Sequence, residues 1–249
     1  MKINKLGGLI YMKENKLFQV PTLNALMMGD YEGSVTVKDF LKHVDTGIGT
    51  FDGLDGEAIF YKGKAYNGRA TGEVSEMSDN DSLPFACGCK FDEKVKENDI
   101  SFDSIEDFKA KLESVLPSKN YFYIIKMEGT FNVRVRSCFK QEKPYEPLYK
   151  VACDQREFEY HDIKGSVIGL YCPNYVEGIN LPGWHIHFLS KDLTKGGHIL
   201  KVSTNNATYK VNKLNEWVLA LPDSKDFATW NLKEDLSEKT NAVEGASKK

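Results

Sequence analysis

The stretch WHIHFLSKDLTKGGHIL, residues 184–200, predicts a β-hairpin that carries three histidines. Residues two apart on a strand project from the same face, so His185 and His187 point together, away from the apolar residues between them. The polar segment 190–197 predicts the hairpin loop, and His198 would begin the returning strand beside the pair. The sequence therefore predicts three imidazoles at one place.

Three neighbouring imidazoles are typical of a catalytic zinc site, because a structural site would need a fourth protein ligand. The chain has 5 histidines among 249 residues, and chance would place roughly 0.3 of them in a window of about 14 residues. The alternative is a set of ordinary polar strand residues. We predict a metal site at His185, His187 and His198.

Outward from the hairpin, period-two alternation recurs in most of the middle and C-terminal half, at 121–127, 130–139, 158–163, 166–171 and 199–203. Helical patterns are few. Capping boxes at Ser104 and Thr36 predict helices over 104–116 and 36–43. We therefore predict a strand-rich α/β fold with mixed sheets and few helices.

Two prolines and three charges in QEKPYEP, residues 141–147, predict a linker. We expect an N-terminal mixed-sheet domain over 1–146, which carries Glu57 and Arg136, and a C-terminal β-rich domain over 147–249 with the histidine hairpin. The polar composition of residues 235–249 predicts a disordered tail.

The net charge of −3 and the absence of a long basic block argue against nucleic-acid or membrane partners. The apolar run 6–12 is too short for a signal or a membrane span, so we expect a cytoplasmic protein. The 5 cysteines form no CxxC pair, which favours reduced thiols. Cys87-Gly88-Cys89 is a poor zinc clip, and Asp79-Asn80-Asp81 lacks the features of a calcium loop.

Arginines and carboxylates near strands are candidates for binding an anion or moving a proton. Arg134 and Arg136 share one face of the predicted strand 130–139 and could bind a carboxylate, but the pattern alone favours a solvated outer face. Glu57 follows a glycine-rich turn, where an exposed charge is the ordinary outcome. Composition gives no reason to select Glu244.

Segments in chain order resemble the α-acetolactate decarboxylase family, and the resemblance spans about 18–244. They are QVPTLNALMMGDYEG (19–33), GTFDGLDGEAI (49–59), EGTFNVRVRS (128–137), GLYCPNYVEGINLPGWHIHFLS (169–190) and GGHIL (196–200). The resemblance implies a two-domain α/β fold that forms a homodimer through its sheet.

The resemblance also implies the site and its chemistry. The family's zinc histidines fall on His185, His187 and His198, its active-site arginine on Arg136, and its two glutamates on Glu57 and Glu244. The substrate would be 2-acetolactate, converted to (R)-acetoin and carbon dioxide through a zinc-stabilised enediolate without an organic cofactor. Arg136 would orient the substrate carboxylate, and one glutamate would return the proton. The tail around Glu244 would then belong to the active site.

Two other functions remain open from the residues alone. A cupin-like metal oxygenase or isomerase also uses His-x-His with a distant third histidine, although no glutamate follows His187 at the cupin distance. A small-molecule binding protein could hold zinc structurally and use Arg136 to bind an anion without turnover.

Overall fold

The computed structural model describes residues 15–152 and 155–244, and within the last helix it leaves the side chains of Asn241 and Glu244 outside the description. The described strands are β1 (Lys16–Val20), β2 (Val35–Thr36), β3 (Thr46–Thr50), β4 (Glu57–Tyr61), β5 (Lys64–Gly68), β6 (Val74–Glu76), β7 (Ser82–Leu83), β8 (Phe85–Cys89), β9 (Asn98–Phe102), β10 (Phe122–Cys138), β11 (Gln155–Cys172), β12 (Gly183–Ser190), β13 (Gly196–Leu214) and β14 (Glu216–Leu219). The described helices are α1 (Leu23–Met28), α2 (Val37–Leu41), α3 (Ile105–Val115), α4 (Leu148–Val151), α5 (Lys225–Thr229) and α6 (Ser237–Glu244). The predicted strand-rich fold with few helices is confirmed.

The first sheet has seven strands in the order β14-β1-β8-β3-β4-β5-β6. Its neighbours run antiparallel except β1 and β14, which are parallel, so the sheet is mixed. A separate pair is formed by β2 and β7.

The second sheet has the order β10-β11-β12-β13-β9, and β10 also pairs with β13. The four strands β10 to β13 therefore close into a ring. The closure places His198 opposite His187 on one side and opposite Arg136 on the other. Three residues from three strands thus meet at one end of the ring.

The two sheets pack face to face through one continuous apolar cluster. Ile48 and Ile59 of the first sheet belong to the same buried cluster as Ile168 and Leu170 of the second. Full burial of each such side chain contributes about 1.5–3 kcal/mol. This packing holds β4 against the ring formed by β10 to β13.

Two strands of the ring are longer than the sequence pattern indicates. The predicted strands 121–127 and 130–139 are one strand, β10, and 158–163 with 166–171 are one strand, β11. Gly129 and Gly165 lie opposite each other where the pattern breaks. A Cβ at Gly129 would be 2.6 Å from the Cβ of Ala207, so this glycine permits close strand packing rather than ending the strand.

The predicted helix caps are confirmed. Ser104 Oγ accepts the backbone N–H of Asp107, and Thr36 Oγ1 accepts that of Asp39. The helix after Thr36 ends at Leu41, earlier than the predicted 36–43.

The expectation of a disordered tail is wrong for the described part of it. Residues 237–244 form α6, and Leu236 and Thr240 are buried. Polar composition misled here because a short helix needs only a few apolar contacts when it docks on an existing core. No helix in 15–152 or 155–244 is long and apolar enough to cross a membrane.

The segment 141–147 is irregular, as predicted, and contacts the turn between β3 and β4, where the Gln141 N–H donates to the carbonyl of Gly53 at 2.6 Å. The strands on either side of this segment in the chain, β10 and β11, pair with each other. The division of the chain at residue 147 stays a prediction. Sheet membership changes between β8 and β9, and the chain returns to the first sheet at β14.

Candidate active site

Three histidines converge at one end of the ring, as the predicted hairpin implies. His185 and His187 lie on β12 and His198 on β13. One ligand nitrogen from each ring lies within 4.8 Å of the others, a group that could hold a metal ion. The Nε2 atoms of His185 and His187 are 3.1 Å apart.

Burial disfavours the charged form of two of these histidines. Loss of solvent lowers the pKa of His185 from 6.5 to about 3, with the Arg136 cation adding to the effect. The pKa of His198 is likewise lowered, first by burial and then by the Arg136 charge. Neutral imidazoles are the form that binds metals, so these two rings are ready to act as ligands at neutral pH.

The orientation of His187 is fixed from the other sheet. Its Nδ1 lies 2.9 Å from the carbonyl oxygen of Ala58 on β4. A carbonyl only accepts, so Nδ1 carries the proton, and in the neutral ring Nε2 presents its lone pair to the cluster. A backbone partner of this kind is the usual support of a metal-binding histidine.

Glu57 lies inside the site, and the expectation of an exposed turn charge is wrong. The tight turn before it uses Gly56 at φ 74°, and β4 then begins at Glu57 itself. The side chain is 9% exposed, with Oε2 at 3.4 Å from His187 Nε2. A carboxylate oxygen and a nitrogen lone pair at this separation repel unless a proton or a cation lies between them.

Arg136 is also buried, which corrects the expected solvated face. Its side chain is 4% exposed, and Nη1 donates to Glu57 Oε1 at 3.0 Å. Nη1 also lies 3.8 Å from the thiol sulfur of Cys138. By contrast Arg134 pairs with Glu159 at the surface, as the pattern predicts. The guanidinium of Arg136 and the carboxylate of Glu57 are therefore held together away from solvent.

A small cavity of about 30 Å³ reaches this group of side chains. Glu57, Arg136 and His185 line it together with side chains that the sequence did not single out: Leu23, Leu26, Thr50, Leu148, Cys138 and Val243. Cys138 could have been found, because it follows Arg136 by two positions on one strand. Cys87, Cys89, Cys138 and Cys172 are free thiols, as predicted, and Cys153 lies outside the described residues.

Glu244 is the one predicted site residue whose side chain lies outside the described part of the structure. Its backbone ends α6, and its neighbour Val243 lines the cavity. The fold therefore brings the end of α6 to the site.

A family model described as Alpha-acetolactate decarboxylase matches residues 17–234. The chain belongs to the alpha-acetolactate decarboxylase family. The prediction that it is an enzyme of this family, a carboxy-lyase, is confirmed.

Named members of the family are similar over nearly all of the chain. The alpha-acetolactate decarboxylase of Brevibacillus brevis is 38% identical over 236 residues, covering 94% of this chain and 83% of the relative. That of Methanosarcina mazei is 37% identical over 92% of this chain and 80% of the relative. The crystal structure of the Bacillus subtilis strain 168 alpha-acetolactate decarboxylase superposes with a TM-score of 0.89 at 32% identity, covering 93% of this chain and 100% of that one.

Proposed function

We propose that this enzyme converts 2-acetolactate to (R)-acetoin and carbon dioxide with a zinc ion held by His185, His187 and His198. The observation that carries the proposal is the buried Arg136–Glu57 pair at 3.0 Å beside three convergent imidazoles. The similar relatives are alpha-acetolactate decarboxylases by name, which supports the same substrate here.

The donor set fits zinc. Two nitrogens bound to one tetrahedral zinc are about 3.3 Å apart, given zinc–nitrogen bonds of about 2.0–2.1 Å. The 3.1 Å between His185 Nε2 and His187 Nε2 is close to this value. Bound zinc supplies Lewis-acid stabilisation of negative charge on oxygen.

Arg136 would bind and orient the substrate carboxylate. Its guanidinium offers a planar fork of donors, and Glu57 holds one end of that fork in place. Because the site is buried, the ionic contact is stronger than in water and needs no rearrangement during the reaction. When the bond between the carboxylate carbon and its neighbour breaks, carbon dioxide leaves and the electron pair stays on the substrate as an enediolate.

Proton return completes the reaction. A carboxyl group of Glu57 or Glu244 would donate a proton to one face of the enediolate carbon, giving acetoin, and would regain its proton from water. Glu57 lies within the cavity. Delivery from one side fixes the handedness of the product.

Acetoin formation from racemic 2-acetolactate by the purified protein tests the proposal. We expect turnover with release of one carbon dioxide per acetoin and an excess of the (R) product. Oxygen consumption in place of carbon dioxide release would support the cupin-like oxygenase, and zinc binding with no turnover would support the binding protein. Either result would overturn the decarboxylase proposal.

A further inference from the structure

The C-terminal segment 230–244, which we call the strap, is tied to the first helix by one buried side chain. Asn24 of α1 is 8% exposed. Its Nδ2 donates to the carbonyl oxygens of Leu232 at 3.2 Å and Glu234 at 3.3 Å. Both partners only accept, so the amide nitrogen, and not the amide oxygen, must face the strap.

Asn24 is itself held in place by the loop before the histidine hairpin. Its backbone N–H donates to the carbonyl of Gly178 at 3.0 Å. Gly178 has φ +81° and passes so close that a Cβ there would be 3.1 Å from Asn24 Nδ2. The amide therefore has little freedom to turn away from the strap.

Beyond this attachment the strap reaches the site. Leu236 is 4% exposed and joins the core between the sheets. Val243 then lines the catalytic cavity together with Leu23 and Leu26 of α1. Asn24 thus joins the helix that forms one wall of the cavity to the segment that forms another.

We propose that Asn24 is a positioning residue for the decarboxylation: its amide holds the strap so that α6 closes the cavity at Val243. This inference rests on the proposed function. A closed cavity lets a protein carboxyl protonate the enediolate from one face, whereas a released strap admits water to both faces. The attachment would therefore control the handedness of acetoin as well as the rate.

The substitution Asn24→Asp tests this in the zinc-loaded full-length enzyme. It keeps the shape of the side chain and removes the donors that face two carbonyls. We expect trypsin to cleave after Lys239 of α6 about tenfold faster, kcat to fall about tenfold, and the (R) excess of acetoin to drop, at unchanged zinc content. Loss of product handedness is a change that a merely structural role would not produce.

Asn174→Asp is the matched control. Asn24 and the exposed Asn174 both line a groove of about 650 Å³ beside the strap, so this variant adds the same charge in the same groove. We expect wild-type rate, handedness and trypsin cleavage from this variant.

Leu236→Ala provides an independent way to loosen the strap if Asn24→Asp fails to fold. We expect the same loss of handedness from Leu236→Ala. Where both variants fold, the double variant should lower kcat by less than the product of the two single fold-changes. Faster cleavage after Lys239 with unchanged kcat and handedness in both variants would overturn the inference. A wild-type protein that forms no acetoin would instead overturn the proposed function, while the trypsin result would still report whether Asn24 holds the strap.

Discussion

Arg134 and Arg136 lie two positions apart on one strand, yet they occupy opposite environments. Arg134 is 32% exposed and contacts Glu157 at 3.7 Å and Glu159 at 3.2 Å. Arg136 is 4% exposed and donates to Glu57 at 3.0 Å. The difference arises because the end of β10 is covered by the first sheet, where Ser137 Oγ donates to the carbonyl of Gly68 at 2.6 Å.

The comparison separates ion pairs that tolerate loss from those that do not. An exposed pair contributes about 0–1 kcal/mol, because water screens both charges. Removal of one partner from a buried pair costs about 3–5 kcal/mol, because the other charge stays buried. Burying both charges of a pair is unfavourable because each loses its hydration. The presence of such a pair is therefore better explained by function than by stability.

The largest expected effect follows from Arg136→Ala. Glu57 would keep a buried carboxylate without its cation, and the substrate carboxylate would lose its binding partner. We expect kcat/KM for acetoin formation to fall at least about 10³-fold and the free energy of unfolding to fall by about 3–5 kcal/mol. Steady-state kinetics and urea unfolding measure the two effects. An active, fully stable variant would show that the pair is dispensable.

Glu57→Gln should cost less stability and still remove most activity. The amide is neutral and has the same shape, so it still accepts a hydrogen bond from Arg136 but neither balances its charge nor donates a carboxyl proton. We expect about a 10²-fold fall in kcat with a change in unfolding free energy of about 1–2 kcal/mol. Wild-type turnover by this variant would remove Glu57 from the chemistry.

Asp30 is an intermediate case between the buried and exposed carboxylates. Burial, with Glu32 and Asp226 nearby, raises the pKa of Asp30 from 3.8 to about 6. The folded protein therefore holds a proton between pH 4 and pH 6 that the unfolded chain releases, and the ionised form is unfavourable above pH 6. Since Asp30 is only partly buried, we discount the effect to about 1 kcal/mol.

Asp30→Asn should accordingly raise the unfolding free energy by about 1 kcal/mol at pH 7.5, with the gain shrinking to zero near pH 4. Urea unfolding across this range checks the sign. The exposed residue Asp79, changed to asparagine, is the matched control and should show no such trend. A gain that grows towards low pH would contradict the assignment.

The smallest effect belongs to Arg134→Ala. Both of its carboxylate partners lie at the surface, so we expect less than about 0.5 kcal/mol of lost stability and less than a twofold change in acetoin turnover. It is the matched control for Arg136→Ala. A large loss of activity would mean that the outer face of β10 also serves the reaction.

The sequence predicted the histidine group because it depends on one local hairpin, whose period-two pattern sets the direction of each side chain. It could not predict the burial of Glu57 and Arg136, which are 79 residues apart and meet only when the two sheets pack. The pattern also divided β10 and β11 at Gly129 and Gly165, because a glycine inside a long paired strand has the same sequence signature as a turn. Helix α6 was missed because it depends on contacts with the core, among them those of Leu236 and Val243.

The family resemblance predicted site residues that residue spacing could not. It selected Glu57, Arg136 and Glu244, although the ordinary interpretation of each position was a residue outside the site. The structure places the first two together and brings the end of α6 to the same cavity. The homodimer stays a prediction, which sedimentation of the purified protein would test.

Zinc titration of the metal-free protein tests the central claim most directly, with bound zinc and acetoin formation measured on the same samples. The account predicts that activity is absent without metal, rises in proportion to bound zinc, and reaches its maximum at one zinc per chain while the secondary structure stays unchanged. Full activity in the metal-free protein, or one zinc bound per chain with no acetoin formed, would contradict it.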